Sequence, residues 1–325
     1  MALGLLHRSI DALAIWTEDR IDRNPEACRL AAPGPLDCFG PLPPLPDPPA
    51  RAGSWRAPSP RPARDGDLMR VDVTPALGPR RGTVLLVPPW KIASPELVSG
   101  YNRLLAAAGY DVWLVCPPHH LDRAAAGTRS GEAFVSLELE RMRCIFEQLV
   151  LEVRVCAALA ARSGPVGLVG LSLGGLAGGF AATASERLEF AGLIAPAQLA
   201  LVMTESGIGR RYRRLAARAG SSWPDSDALG AALAPFDPRT RVLTAGRLFI
   251  AGGVHDAVVP VAAQVALARA WGVTPQLYPR GHISLLFMCR ALRRDLLRFV
   301  DGVRAREASP EAEAPHERRP GRITS

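Results

Sequence analysis

Ser172 stands in Gly170-Leu171-Ser172-Leu173-Gly174, directly after the apolar run Val166-Gly167-Leu168-Val169. A serine hydroxyl is a weak nucleophile at neutral pH. It reacts usefully only when a neighbouring base takes its proton and the backbone holds its Oγ clear of the chain. A sharp turn from a buried strand into a helix does the holding, and the residues two before and two after the serine must then be tiny to avoid collision. Gly170 and Gly174 meet that requirement, and Gly175, Ala177, Gly178 and Gly179 give the following helix a smooth face to lay on the strands. The same pattern can also arise by chance in a chain with 30 glycines, so the rest of a reactive set must decide.

A base and a group to orient it are the remaining parts. After the apolar segment Arg247-Leu248-Phe249-Ile250-Ala251 the chain reads Gly252-Gly253-Val254-His255-Asp256-Ala257-Val258-Val259-Pro260. After Gln276-Leu277-Tyr278 it reads Pro279-Arg280-Gly281-His282. Taken singly, a loop histidine is more often a surface residue and a loop aspartate a helix cap, and Asp256 also stands where it could cap a helix over 258–271. Taken together, Ser172, Asp256 and His282 each follow their own strand, which is where ligands and reacting groups gather in parallel sheets.

The elements that must position these residues are legible as a regular alternation. Met69-Arg70-Val71-Asp72-Val73 alternates like a half-exposed strand, whereas Thr83–Val87, Val112–Cys116, Val166–Gly170 and Ala191–Ala195 are continuous apolar runs of the kind buried inside a parallel sheet. Helices are expected over about 95–108, 132–162, 261–271 and 284–304. Strand and helix in turn predict a mostly parallel, doubly wound α/β sheet with helices on both faces. Residues 197–246 interrupt the alternation. Residues 1–31 carry Leu3, Leu6, Ile10, Leu13 and Trp16 at helical spacing, and residues 32–66, dense in proline, read as an extended wrapping arm or linker that Trp55 could anchor. The main domain then covers 67–304, and the charged segment 305–325 reads as a disordered tail.

With the strand-end residues in this order, the chain resembles the serine α/β-hydrolase superfamily over about residues 68–304. The resemblance rests on the serine turn, the Gly-x-x-x-Asp-x-x-Val-Pro loop and the Gly-His loop at matching strand positions. It implies an α/β-hydrolase fold, with Ser172 as nucleophile, His282 as general base and then acid, and Asp256 as the group that fixes the imidazole tautomer. It also implies a cap insertion at about 197–246. One oxyanion donor would be the N–H of Leu173, and the other comes from the loop after the strand at 83–87, where many relatives have His-Gly. Here that loop reads Pro88-Pro89-Trp90-Lys91. Proline has no N–H, so Trp90 carries the first available donor, on a loop the prolines stiffen; the alternative is a rigid turn with no part in chemistry.

By the same resemblance the activity is cleavage of a carboxylic ester, esterase-like or lipase-like, through an acyl-enzyme. A serine at the turn argues against the aspartate-dependent dehalogenase and epoxide-hydrolase branches and the cysteine-dependent polyester-synthase and dienelactone branches. The Pro-rich arm before the core is loosely similar to the abhydrolase-eighteen group of lipid-linked hydrolases. The expected partner is a small-molecule ester, acyl or lipid-like, with no cofactor. The alternatives are an acyltransferase with the same triad and a non-catalytic binding protein retaining the fold. Neither acyl chain, alcohol nor oligomeric state is legible.

Other features narrow the reading. Cys116-Pro117-Pro118-His119-His120-Leu121-Asp122-Arg123 ends another central strand, so His119 and His120, with Pro89, are candidates for lining the same pocket. Adjacent histidines point apart and no third ligand is spaced for a metal, so none is expected. Ser130-Gly131-Glu132 reads as a helix start. In the insertion, Arg210, Arg211, Arg213, Arg214 and Arg218 are either a lid that meets an anionic group or a solvated helix face. The net charge of +8 is carried almost entirely by arginine, Lys91 being the only lysine, in a chain rich in Ala, Gly and Pro; with no basic stripe interleaved with aromatics, nucleic acid is not an expected partner. The six cysteines lack metal or disulfide spacing and read as small buried thiols. His7, Arg8 and Asp11 break the apolar pattern that a signal peptide would need, and no stretch is long enough to span a membrane, so a cytoplasmic location is expected.

Overall fold

The computed structural model describes residues 2–16, 33–136, 138–184, 188–218, 220 and 222–307. The strands are β1 (Gly53–Pro58), β2 (Leu68–Thr74), β3 (Gly82–Val87), β4 (Tyr110–Cys116), β5 (Val166–Leu171), β6 (Phe190–Ile194), β7 (Leu248–Gly253) and β8 (Gln276–Tyr278). They form one sheet in the order β1-β2-β4-β3-β5-β6-β7-β8, with β1 and β2 antiparallel at one edge and every pairing from β4 to β8 parallel. β3, β5 and β6 are buried along their whole length, whereas β2 alternates buried Met69, Val71 and Val73 with more accessible neighbours. Continuous apolar runs go where both faces are covered, and alternating ones go to the margin.

The helices are α1 (Ala2–Trp16), α2 (Ser99–Ala107), α3 (Leu139–Ala161), α4 (Leu173–Ala181), α5 (Leu199–Glu205), α6 (Gly207–Arg218), α7 (Ser226–Leu233), α8 (Val261–Ala270), α9 (His282–Met288) and α10 (Arg290–Glu307). α3, α4 and α8 pack on one face of the sheet, where Phe146, Phe180 and Leu267 share a core. α2, α9 and α10 cover the other, around Tyr101, Leu286 and Leu296. α5 to α7 come from the interrupting segment 197–246.

Four expectations need correcting. The arm at 32–66 contains a strand, β1, because Arg51–Ala57 is free of proline and keeps its N–H groups for pairing with β2; Pro58 ends it. The long helix begins at Leu139, not near Glu132, since residues 121–136 fold into turns. The last helix is two, broken at Cys289, whose backbone is extended. Residues 305–307 belong to α10, while 308–325 and 17–31 lie outside the described residues.

The arm lies against α3, which turns an unusual polar face towards it. Glu147, Gln148, Glu152 and Arg154 are all buried there. Their oxygens take the N–H groups of Asp37 (2.7 Å) and Ala63 (2.9 Å) and the hydroxyl of Ser59 (2.7 Å), while Arg154 donates to the Gly40 carbonyl (3.1 Å). Arg123 joins Glu152 and Asp67 at 2.7 Å each. Buried charge is tolerable only where opposite charges and hydrogen bonds meet it, as they do for most of these groups, although Glu147 Oε2 and Arg123 Nε have no hydrogen-bond partner among the described residues.

Candidate active site

Ser172 sits between β5 and α4 with φ 54° and ψ −108°, a conformation that is costly for a residue with a Cβ. The glycines around it have no room to be anything else. A Cβ at Gly170 would come within 2.2 Å of the Gly174 carbonyl oxygen, and one at Gly174 within 2.1 Å of the Val87 oxygen. Other non-glycine residues with positive φ are Lys91, His119, Leu121 and Ala195, which follow β3, β4 and β6. Among the described residues, backbone strain of this kind is confined to the carboxyl ends of four adjacent strands, the rim on which Ser172 stands.

Across that rim the structure brings together the three residues that the sequence placed on separate loops. His282 Nε2 lies 3.0 Å from Ser172 Oγ, and His282 Nδ1 lies 2.7 Å from Asp256 Oδ2. Asp256 also works as a cap: its Oδ1 accepts from the N–H groups of Val258 (2.9 Å) and Val259 (2.7 Å), at the turn before α8. Burial opposes protonation of His282, yet the Asp256 charge and hydrogen bond, with Asp11 beyond them, hold its pKa above the ordinary histidine value. An imidazole so placed takes the proton on Nδ1 towards the carboxylate and leaves Nε2 able to accept the serine proton.

The Pro-Pro-Trp-Lys loop faces the serine turn, with the Leu173 and Trp90 N–H groups donating to no partner among the described residues. It is fastened from behind by the segment after β4. Trp90 Nε1 donates to the Gly131 carbonyl (2.7 Å), the Lys91 N–H to His120 Nε2 (3.0 Å), and Ser130 Oγ to the Ile92 carbonyl (2.5 Å). This corrects the sequence reading of His119 and His120, neither of which lines the cavities at Ser172. His120 is wholly buried behind the loop. Burial pushes its pKa down to about 3, and its Nδ1–H is held by the Pro118 carbonyl (2.8 Å), so Nε2 stays an acceptor at any ordinary pH. Ser130 and Gly131 are likewise fasteners rather than a helix start: a Cβ on Gly131 would reach His120 Nε2 at 2.5 Å.

Two cavities meet at Ser172. The outer one, about 230 Å³, is lined by Pro89, Trp90, Ile92, Leu286 and Phe287, with His282 on its wall and Lys91 and Arg211 as its charged members. Burial lowers the Lys91 ammonium to about 8, and the ammonium lies 4.6 Å from the Trp90 ring centre. The inner one, about 80 Å³, runs beneath the insertion between Leu139, Met142, Leu173, Met203, Leu229 and Leu233. Ser136 and Ser172 are its polar members. The insertion therefore supplies a wall of this pocket from α5 and α7, and Arg211 of α6 reaches the outer one.

One set of residues at the site was not found from the sequence as site residues. Asp11 of α1 is fully buried, and its carboxylate accepts from the N–H groups of His282 (2.7 Å), Ile283 (3.0 Å) and Ala257 (3.1 Å). The apolar positions at helical spacing did not point to Asp11: Leu6 is exposed, and α1 instead turns Gly4, His7 and Asp11, a strip offset from those positions, towards the two loops.

An eight-stranded, mostly parallel sheet with helices on both faces, a serine on a strained turn after β5 and helices inserted after β6 define the α/β-hydrolase fold. Solved structures agree. The chain is similar to an acetyl xylan esterase from Paenibacillus sp. R4 (15% identity, TM-score 0.52, 73% of this chain and 80% of that one). It is similar also to Est1E from Butyrivibrio proteoclasticus (12%, 0.51, 79% and 100%) and to a soluble variant of monoglyceride lipase from Saccharomyces cerevisiae (14%, 0.51, 83% and 99%). At such identities the likeness is one of fold. No family model and no curated protein matches the sequence. No helix among the described residues is long and apolar enough to cross a membrane, and no cluster of three or more His, Cys, Asp or Glu side chains among them is arranged to hold a metal.

Proposed function

We propose that the protein is a serine hydrolase that cleaves a carboxylic ester through an acyl-enzyme. The observation that carries this reading is the chain of contacts from Asp256 through His282 to Ser172 Oγ, at the junction of two apolar cavities. The esterase and lipase names of the structural neighbours lend support.

In this mechanism Ser172 Oγ attacks the ester carbonyl carbon as its proton passes to His282 Nε2. The resulting oxyanion accepts from the Leu173 and Trp90 N–H groups. Asp256 stabilises the imidazolium. Collapse of the tetrahedral intermediate breaks the bond to the alkoxy oxygen, which takes the proton from Nε2 and leaves as the alcohol. Water then gives its proton to Nε2 and attacks the acyl carbon, and Ser172 departs with that proton to release the acid.

The cavities divide the substrate between them. The leaving oxygen must lie within reach of the acid that protonates it, and His282 lines the outer cavity but not the inner. The alcohol portion therefore occupies the outer cavity, near Lys91 and Arg211, and the acyl chain the inner one. Filling the inner cavity should shorten the acyl chain the enzyme prefers. With Leu233→Phe, a panel of p-nitrophenyl esters graded by length is expected to lose about tenfold in kcat/KM for the longer acyl groups while acetate is hydrolysed as before. An unchanged length profile would remove the acyl assignment.

The fastening of the Trp90 loop has its own test. His120→Ala leaves the Lys91 N–H without its acceptor, at about 1–3 kcal/mol, and loosens the Trp90 donor. Turnover is expected to fall about 10- to 100-fold with KM little altered, since an oxyanion donor acts on the transition state rather than on the bound ester.

A further inference from the structure

α1 lies outside the sheet, yet it touches both loops that carry the partners of Ser172. On the His282 side, the first N–H groups of α9 have no acceptor at their own cap, because the residue before them is Gly281. Asp11 provides one from another helix, taking the His282 N–H on Oδ2 and the Ile283 N–H on Oδ1. On the Asp256 side the same Oδ2 takes the Ala257 N–H. One fully buried carboxylate thus ties the residue after Asp256 to His282 itself.

The surrounding residues are shaped to this contact. A Cβ at Gly281 would stand 2.6 Å from Asp11 Oδ2, so glycine is the residue that lets the carboxylate approach. A Cβ at Gly4 would stand 3.0 Å from the His255 ring, so α1 lies as closely on the other loop. His7, one turn before Asp11, accepts from Arg280 at Nε2 (3.2 Å) and donates from Nδ1 to Ser284 Oγ (2.9 Å), which in turn accepts the Gly281 N–H (3.1 Å). Burial and the nearby Arg280 lower the His7 pKa, which keeps it in the neutral form this pattern needs.

We propose that Asp11 is a positioning residue: through its three backbone hydrogen bonds it sets the distance between the Asp256 and His282 loops, and α1 thereby completes the reactive site. The proposal rests on the hydrolase reading for its kinetic consequence, but its structural content can be measured without turnover. Loss of the carboxylate lets both loops move, and a displacement of about 1 Å between reacting groups costs about 100-fold in rate.

The test compares wild type, Asp11→Asn, Asp11→Ala and, as a control on the exposed side of α1, Ser9→Ala. Backbone hydrogen exchange is followed over residues 254–258 and 281–288. Reaction with a fluorophosphonate probe and hydrolysis of p-nitrophenyl acetate are followed against pH. For both Asp11 variants, exchange in these two loops is expected to quicken about tenfold or more while that of α3 is unchanged. kcat per probe-titrated site falls about 10- to 100-fold with KM within about twofold. Ser9→Ala matches wild type in every readout.

The acid limb of kcat/KM supplies a further sign. The titratable and charged groups around His282 are Asp256 and His255 on one loop, Arg280 on its own, His7 and Asp11 on α1, and Lys91 and Arg211 across the outer cavity. The base works unprotonated, and the Asp11 charge favours its protonated form. In Asp11→Asn the limb therefore moves to lower pH. Should Asp11→Asn fail to fold, Gly281→Ala displaces the carboxylate while keeping its charge and carries the same exchange and kcat readouts. Unchanged exchange in the two loops overturns the proposal, and so does quickened exchange with wild-type kcat per titrated site. A wild-type protein that neither reacts with the probe nor hydrolyses esters sinks the hydrolase reading instead, and exchange alone then decides whether Asp11 positions the loops.

Discussion

Ser172→Ala is expected to lower ester hydrolysis by about 10⁴- to 10⁶-fold and to abolish labelling by a fluorophosphonate, with the fold intact. Nothing else in the contact chain can substitute for the lost oxygen. Alanine keeps the backbone of the turn, and the glycines that make room for it are untouched, so circular dichroism and thermal melting should change little. The wild-type rate itself should rise with pH along a limb that lies above the ordinary histidine value of 6.5, because His282 must be neutral to accept a proton and its surroundings favour the charged form. Full activity in folded Ser172→Ala would exclude the acyl-enzyme. Labelling of another residue would relocate it.

Asp256→Asn should cost nearly as much for a different reason. Asp256 Oδ1 already accepts two N–H groups, from Val258 and Val259. An asparagine can keep those bonds only by leaving its oxygen there, which turns its NH2 towards His282 Nδ1. That nitrogen must then accept, and the imidazole proton moves to Nε2, where it blocks transfer from Ser172. kcat is expected to fall about 10⁴-fold while the melting temperature stays within a few degrees, because the cap survives. A direct check is the imidazole tautomer by nitrogen NMR: the proton should sit on Nδ1 in wild type and on Nε2 in the variant. An unchanged tautomer with a large rate loss would assign Asp256 a purely electrostatic part.

What the sequence made legible follows from how local each signal is. The buried strands announce themselves because β3, β5 and β6 are continuous apolar runs, and the tiny residues around Ser172 because a Cβ at Gly170 or Gly174 would meet a backbone oxygen at 2.2 or 2.1 Å. Asp256 and His282 could be placed at strand ends by order alone. The features that escaped depend on contacts with distant partners. His119 and His120 read as pocket residues because a histidine at a strand end has no local mark of facing inward; only the fold puts His120 behind Lys91. β1 was hidden inside a proline-rich stretch whose seven proline-free residues gave no alternation strong enough to read. α3 starts seven residues later than its composition suggests, because Ser130 and Gly131 are committed to fastening the Trp90 loop. Asp11 looked like an ordinary polar residue in an amphipathic helix. Its meaning lies in three amides on the far side of the sequence, those of Ala257, His282 and Ile283.

That distance has a bearing on when the protein becomes competent. Asp11 and the His282 amide are 271 residues apart in the chain. At a synthesis rate of about 5–20 residues per second, the carboxylate waits about 15–50 s for the amide it will hold. Contacts of such long span are among the last to form. On the ribosome the serine turn and most of the strands are thus synthesised ahead of His282 and of the contacts that Asp11 makes with its loop. In the proposed hydrolase, a growing chain would bear Ser172 in a silent state until β8 and α9 bring His282 to it.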